Sequence, residues 1–529
     1  MNLSLNLSTG LVNKIRNTVE RIRLLRVVFV LSVLISIAST AYFFFNNLII
    51  VYGDAESHLN IAKRVLHSIT PGFAQLGGIW LPMPHILMIP FVFFDPLWRS
   101  GLAGSIVSGT AFVVSSIFLF KLANLLTRNK LTSFIVFLVF ALNPNILYLQ
   151  STPMTELPLV AFFILSSYFF IKHIKNDKDL ISLILAAFFG FCAVLTRYDG
   201  WFLVLFEAAT IGLMYLRRRE NFHKMEGKIL LFSTLAFFGV FLWMMWDFLI
   251  LGDPFYFTNS QFSARTQQMN WLKRGELPAY HNFPLALAYY LVTSMSNGGV
   301  LIFLVALFGF VYFLTDKKTH HSYLISLILL VPFIFNVFTM FMGQSVIFIP
   351  HLTPVGFEWR LFNVRYGVLM IPVISLFFGY AFFRTKKAGI KTLLIVLFLI
   401  QFALYGIGYS KVISLSDGVK GLSQAKRPDA EQWIKIHYDG GLVLIDDYAR
   451  TLSIVRSGIP MQNIIYIGNK PYWEESLVAP ERYARWIIMQ KDDDVWNHIY
   501  DVPEVQARLF KYFQKAYTSP QILIFRKPN

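Results

Sequence analysis

The sequence predicts a polytopic α-helical membrane protein of about eleven transmembrane helices, followed by a C-terminal extracytoplasmic α/β domain. Three observations lead there. Of 529 residues, 56 % are hydrophobic and 17 % aromatic, and the mean hydropathy of +0.55 is too high for a water-soluble chain of this length. Apolar runs able to cross about 30 Å of hydrocarbon recur through the first part of the chain. Basic residues fall in short loops between alternate runs: Lys14 to Arg26, Lys121 to Lys130, Lys172 to Lys178, Arg217 to Lys228, Lys317-Lys318 and Arg384 to Lys391. That is the positive-inside pattern.

The formal net charge of +17 invites a nucleic-acid reading, but its distribution opposes one. Residues 1–410 hold 31 of the 47 Lys and Arg against 16 acids, and the tail is near balance with 16 bases and 14 acids. The excess sits where topology needs it, so no nucleic-acid partner is expected. The single Cys192 lies in an apolar run and packs as a small hydrophobe. The first apolar run lacks a small-residue cleavage site and reads as an uncleaved span.

Spans are predicted at 26–47, 101–121, 131–149, 155–173, 180–196, 201–216, 229–251, 297–314, 322–341, 365–383 and 391–409. The N-terminus is then cytoplasmic, and an odd number of spans leaves the tail outside. A Lys-rich, cysteine-poor chain fits a prokaryotic plasma (inner) membrane. The domains follow as 1–410 for the membrane part and 411–529 for the soluble part. Three outer segments, 48–100, 252–296 and 342–364, are longer than connections require. In the first, Leu59 to His67 reads as an interfacial helix. The prolines of Trp80-Leu81-Pro82-Met83-Pro84-His85 interrupt regular helix before the apolar run Ile86 to Phe94, which re-enters or skirts the bilayer. Beyond 410, Leu442 to Ile445, Ile464 to Ile467, Trp486 to Met489 and Ile522 to Phe525 read as strands. Ala430 to His437 and Pro503 to Gln514 read as helices. Asp446-Asp447 reads as a solvated strand end.

The chemistry is expected on the outer face. Gly53-Asp54-Ala55-Glu56-Ser57-His58 follows the first span directly. Acids at a membrane boundary are costly when partly buried, which makes them functional candidates. Asp54 and Glu56 divide between a general base and an orienting group or metal ligand. Both are candidate ligands for a divalent cation, the one cofactor suggested. His58, four residues beyond Asp54, stacks over the same face of a helix starting there. Glu156, taken alone, complements the helix dipole of the fourth span. At the depth of Asp54 it becomes a second acid candidate.

Arg197, Arg360 and Arg365 stand at outer ends of spans, where the positive-inside rule does not place bases. For Arg197 an ion pair with Asp199 is favoured. For Arg365, beside Tyr366, a phosphate partner is favoured. Trp80, Trp271 and Trp359 suit sugar faces, and with His58, His85, Arg197, Arg360, Arg365 and Tyr366 they complete the candidate binding set. A lipid-phosphate substrate entering sideways from the bilayer would use such a set.

These segments resemble the GT-C superfamily of membrane glycosyltransferases, in the branch of the protein O-mannosyltransferases and the aminoarabinose transferase acting on lipid A. Asp54 matches that branch's first-loop Asp and His58 its aromatic position. Ile61-Ala62 match its Ile-Ala pair, and Leu81-Pro82-Met83-Pro84 its proline stretch. Ala55 departs from the Glu that often follows the Asp; the second acid here is Glu56. Thr155-Glu156 and Arg365-Tyr366-Gly367 also look like segments of such enzymes. The resemblance implies inverting transfer of a sugar from a polyprenyl-phosphate donor to a protein, lipid or glycan acceptor on the extracytoplasmic side. Asp54 would be its base, with Arg365 or a divalent cation at the leaving phosphate. The rival readings are a flippase or transporter of a lipid-linked saccharide, favoured by inverted repeats that the sequence does not display, and a membrane-anchored assembly protein.

Overall fold

The structure is a computed structural model describing residues 2–218, 222–317, 319–425, 428–447 and 452–528. Arg219 and Lys318, assigned above to basic loops, lie outside the described residues, as do the side chains of Lys14, Arg217 and Arg218. The chain forms two compact units. One comprises residues 1–46, 108–151 and 155–417. The other comprises residues 47–107, 152–154 and 418–529.

The protein is a multi-pass membrane protein. Among the described residues seven helices are long and apolar enough to span: Arg23–Phe45, Leu102–Thr127, Glu156–Lys175, Asp199–Leu216, Phe222–Leu251, Val364–Arg384 and Ala388–Gly406. Two bent pairs raise this to nine, namely Phe283–Gly298 with Val300–Thr315 at 114° and Ser322–Leu329 with Val331–Phe341 at 53°. The shorter apolar helices Lys130–Ala141 and Leu180–Val194 occupy the remaining two predicted positions. The first of these stops early because Leu142-Asn143-Pro144 starts a new helix. There Asn143 accepts hydrogen bonds from the amides of Asn145 and Ile146.

Phe283–Gly298 lies mostly in the segment read as an outer loop. It is a helix capped by Asn282, and its Tyr289, Tyr290, Thr293, Ser294 and Asn297 are buried. Its polar residues face protein, which apolar periodicity does not register. At the bend Gly299 takes φ +86°, and Gln401 accepts the amide of Leu301 at 3.0 Å. The side chain thus satisfies one of the donors that a new helix start leaves open.

Close helix packing depends on small residues. A Cβ on Gly309 would lie 1.8 Å from the Phe377 carbonyl oxygen, and one on Gly379 would lie 2.2 Å from Val136. The backbones of Val300–Thr315 and Ile371–Arg384 therefore approach as small residues permit in membranes.

The second unit holds a five-stranded sheet: β1 (Leu442–Ile445), β2 (Ile464–Ile465), β3 (Ala484–Gln490), β4 (Gln514–Thr518) and β5 (Ile522–Arg526), in the order β2-β1-β3-β5-β4. β1 runs parallel to β2 and β3, whereas β5 is antiparallel to β3 and β4. Leu444, Ile487, Met489 and Phe525 pack with Leu509 of the helix Pro503–Tyr512 in its core. The predicted strands are present. β4 is additional: Gln-Lys-Ala-Tyr-Thr is an edge strand with no buried residue, so it carries no apolar alternation.

Gly309→Val should lower the thermal midpoint of the detergent-solubilised protein, because overpacking costs about 1–3 kcal/mol. An unchanged midpoint would mean that the two backbones do not meet there.

Candidate active site

In the second unit, the helix Gly53–His67 begins where the chain leaves extended geometry at Tyr52, with φ −77° and ψ 134°. The Gly53 amide donates to the Ser423 carbonyl at 3.0 Å, and the Ala425 amide donates to Val51 at 2.7 Å. Asp54 and Glu56 occupy the first turn and Arg64 and His67 the last, as the helix dipole favours. Tyr52, Ala55, Leu59 and Ala62 are fully buried and fix which face points outward.

The two acids differ. Glu56 is buried, and its Oε1 accepts the Ser453 hydroxyl at 2.6 Å and the Val455 amide at 3.3 Å. Asp54 is half-buried and reaches the surface. His58, one turn on, is buried with Nδ1 2.9 Å from Nε2 of His85, and the Trp80 ring lies 4.7 Å from its own. Nδ1 of His85 has no hydrogen-bond partner among the described residues. Burial, and then the neighbouring His58, hold His85 well below the usual histidine range, so it is neutral at pH 7.

The proline stretch does not interrupt helix here. It starts one, Met83–Val92, because proline is tolerated in a first turn whose amides lack partners. The buried Lys63 donates to the Val92 carbonyl at 2.9 Å at the far end of that helix and pairs with Asp95. His58, Trp80 and His85 are thus brought together, with Asp54 and Glu56 in the first turn of the helix that carries His58.

A second constellation lies in the other unit. Oε1 of Glu156 accepts from Arg197 Nη1 at 3.2 Å and from Arg365 Nε at 3.1 Å, and all three side chains are largely buried. Arg197 also meets Asp199 at 3.3 Å, as expected, and Arg365 lies 3.8 Å from Asp417. Tyr366 places its ring 4.9 Å from one guanidinium and 5.1 Å from the other. Three carboxylates therefore surround two arginines. Arg365, favoured above for a phosphate, is engaged by Glu156 in this structure. Arg360 stands apart, donating to the carbonyls of Thr353 at 3.3 Å and Pro350 at 2.6 Å, and so folds its own loop.

Sequence reasoning missed Lys63, Arg64, Asp417 and Ser453. The reading of Asp446-Asp447 as a solvated strand end is corrected. Asp446 is buried and accepts the Asp494 amide at 3.0 Å, and Asp447 pairs with Arg64. Among the described residues no group of three or more His, Cys, Asp or Glu is arranged to hold a metal, and Glu56 spends Oε1 on Ser453 and Val455.

No protein-family model and no curated protein matches the sequence. Solved structures do. ArnT from Cupriavidus metallidurans bound to undecaprenyl phosphate is 11 % identical, with 93 % of this chain and 97 % of that one covered, at a TM-score of 0.54; its apo state gives 0.55. The oligosaccharyltransferase of Archaeoglobus fulgidus in complex with Zn and sulfate is 11 % identical over 94 % of this chain and 73 % of that one, at 0.50. Both neighbours are GT-C membrane glycosyltransferases. The protein has the GT-C fold. In this chain the first cluster is carried by the loop after the first span, and the second by the starts of later spans.

Glu156→Ala should leave two buried guanidiniums without their shared acceptor and cost about 3–5 kcal/mol, read as a lowered thermal midpoint. An unaltered midpoint would remove Glu156 as the hub. His85 supplies a pH test. It is neutral when folded and takes up a proton on unfolding near the ordinary value of about 6.5, so the unfolded state binds more protons below that pH. Its stabilising contribution is present above about pH 6.5 and declines as pH falls. His85→Gln should flatten that part of the stability curve, and an unchanged curve would contradict the assignment.

Proposed function

We propose that the protein is an inverting glycosyltransferase moving a sugar from a polyprenyl-phosphate donor to a protein, lipid or glycan acceptor on the extracytoplasmic face. It would lie in the cell's inner membrane with its N-terminus cytoplasmic and residues 411–529 outside. The observation that carries this reading is Asp54, the half-buried acid of a first turn whose other acid is buried. A fold shared with membrane glycosyltransferases supports it.

In this reading the Asp54 carboxylate accepts the proton of the acceptor group as that group attacks the anomeric carbon. The bond from that carbon to the phosphate oxygen breaks on the opposite face, and polyprenyl phosphate leaves with the electron pair. The helix N-terminus favours the charge of a carboxylate in this position. Trp80 offers a ring face to the sugar, His58 packs behind that ring, and His85 fixes the orientation of His58. Arg365 and Arg197, which share the Glu156 carboxylate within the helical unit, are the candidates for an anionic phosphate. Glu56 positions, and Asp54 reacts.

Asp54→Asn should reduce transfer by about 10²- to 10⁴-fold, the usual contribution of a general base, with folding intact. Wild-type turnover in that variant would remove Asp54 as the base. Arg365→Ala should raise KM for the donor more than for the acceptor. Equal rises would count against a phosphate contact.

A further inference from the structure

The helix carrying Asp54 is gripped at both ends by residues nearly four hundred positions away. At its start Glu56 accepts from Ser453 and Val455, and the Gly53 amide donates to Ser423. At its end the buried Arg64 pairs with Asp447 and lies over the Tyr466 ring at 3.7 Å. The Tyr466 hydroxyl donates to Gln75, and Gln75 Nε2 donates to the carbonyls of Thr70 at 2.9 Å and Gly468 at 3.2 Å. Asn469 donates to the Ser68 hydroxyl at 2.7 Å, directly after the last turn. Arg99 ties the same loop to the Val455 carbonyl at 3.1 Å.

These contacts restrict two motions. Advancing the helix by one residue turns it by about 100° and carries Asp54 to another face. Such a slip would pull Glu56 from its donors and Arg64 from Asp447 together, leaving both charges buried without partners. Burial opposes the charge on Arg64, but Asp447 and Tyr466 outweigh it and raise the guanidinium's pKa. The Arg64 guanidinium therefore stays charged.

We infer that Asp447 and Ser453 are positioning residues for Asp54, and that the C-terminal segment serves as the jig of the transfer site; this rests on the reading of Asp54 as the base. The segment's contribution to the reaction is geometric. It holds the carboxylate at one azimuth, so that a bound acceptor meets it in line.

The test uses the full-length protein carrying Asp447→Asn, Ser453→Ala or Ser453→Thr. Transfer kinetics are measured alongside hydrogen–deuterium exchange. Asp447→Asn and Ser453→Ala should each lower kcat by about 10- to 100-fold, the scale of a misplacement near 1 Å, with donor KM near wild type. Exchange should rise in amides 53–67 and stay unchanged in the span Val364–Arg384. Ser453→Thr, which keeps the hydroxyl, should restore kcat. Wild-type kcat in Ser453→Ala, or exchange rising equally in the spans, would overturn the inference. The base reading fails separately, through full turnover in Asp54→Asn, and the exchange readout does not depend on it.

Discussion

A carboxylate with 8 % of its residue surface exposed has to find donors within the protein, and Glu56 finds them in a hydroxyl and an amide from the C-terminal segment. That one interaction sets two neighbouring acids in different surroundings. With Glu56 buried, Asp54 is the more exposed acid of the first turn after the first span. It also ties the loop after the first span to the sheet-bearing segment, so residues 47–107 and 418–529 form one compact unit. Charge-assisted hydrogen bonds to backbone and hydroxyl groups are the stronger kind, and their loss would expose a buried charge rather than a neutral dipole.

The helical unit obeys the same rule. Glu156 gathers Arg197 and Arg365, while Asp199 and Asp417 lie on their other sides. Where helices break, side-chain amides take over backbone duties. Asn143 and Asn145 donate to the Asn297 carbonyl at 2.9 and 3.1 Å, and Asn297 donates to the Val364 carbonyl at 2.7 Å. Away from water such groups have no other partner, so each interruption of a span demands a polar side chain at the right place.

The spans were legible in the sequence because each is a long apolar run bordered by a basic or polar loop, and hydrophobicity is read locally. Phe283–Gly298 escaped because its polar residues are buried against other helices, a fact no window of sequence contains. β4 escaped because an exposed edge strand has no apolar face. Asp54, Glu56 and His58 stood out by their place at a membrane boundary. Their partners did not, because Ser453 is 397 residues from Glu56 and Asp447 is 383 from Arg64. The Arg197–Asp199 pair was readable, being two residues apart. Glu156 with Arg365, 209 apart, was not.

The proposal that Asp54 acts as the base has a stereochemical consequence. Retention at the anomeric carbon needs a carboxylate nucleophile and a separate acid–base group, whereas inversion needs only a base. The most direct measurement is the anomeric configuration of the product formed from a polyprenyl-phosphate sugar of known configuration, read by NMR before any mutarotation. The account predicts inversion. Retention would mean that a second carboxylate attacks carbon, which contradicts the commitment of Glu56 to Ser453 and Val455.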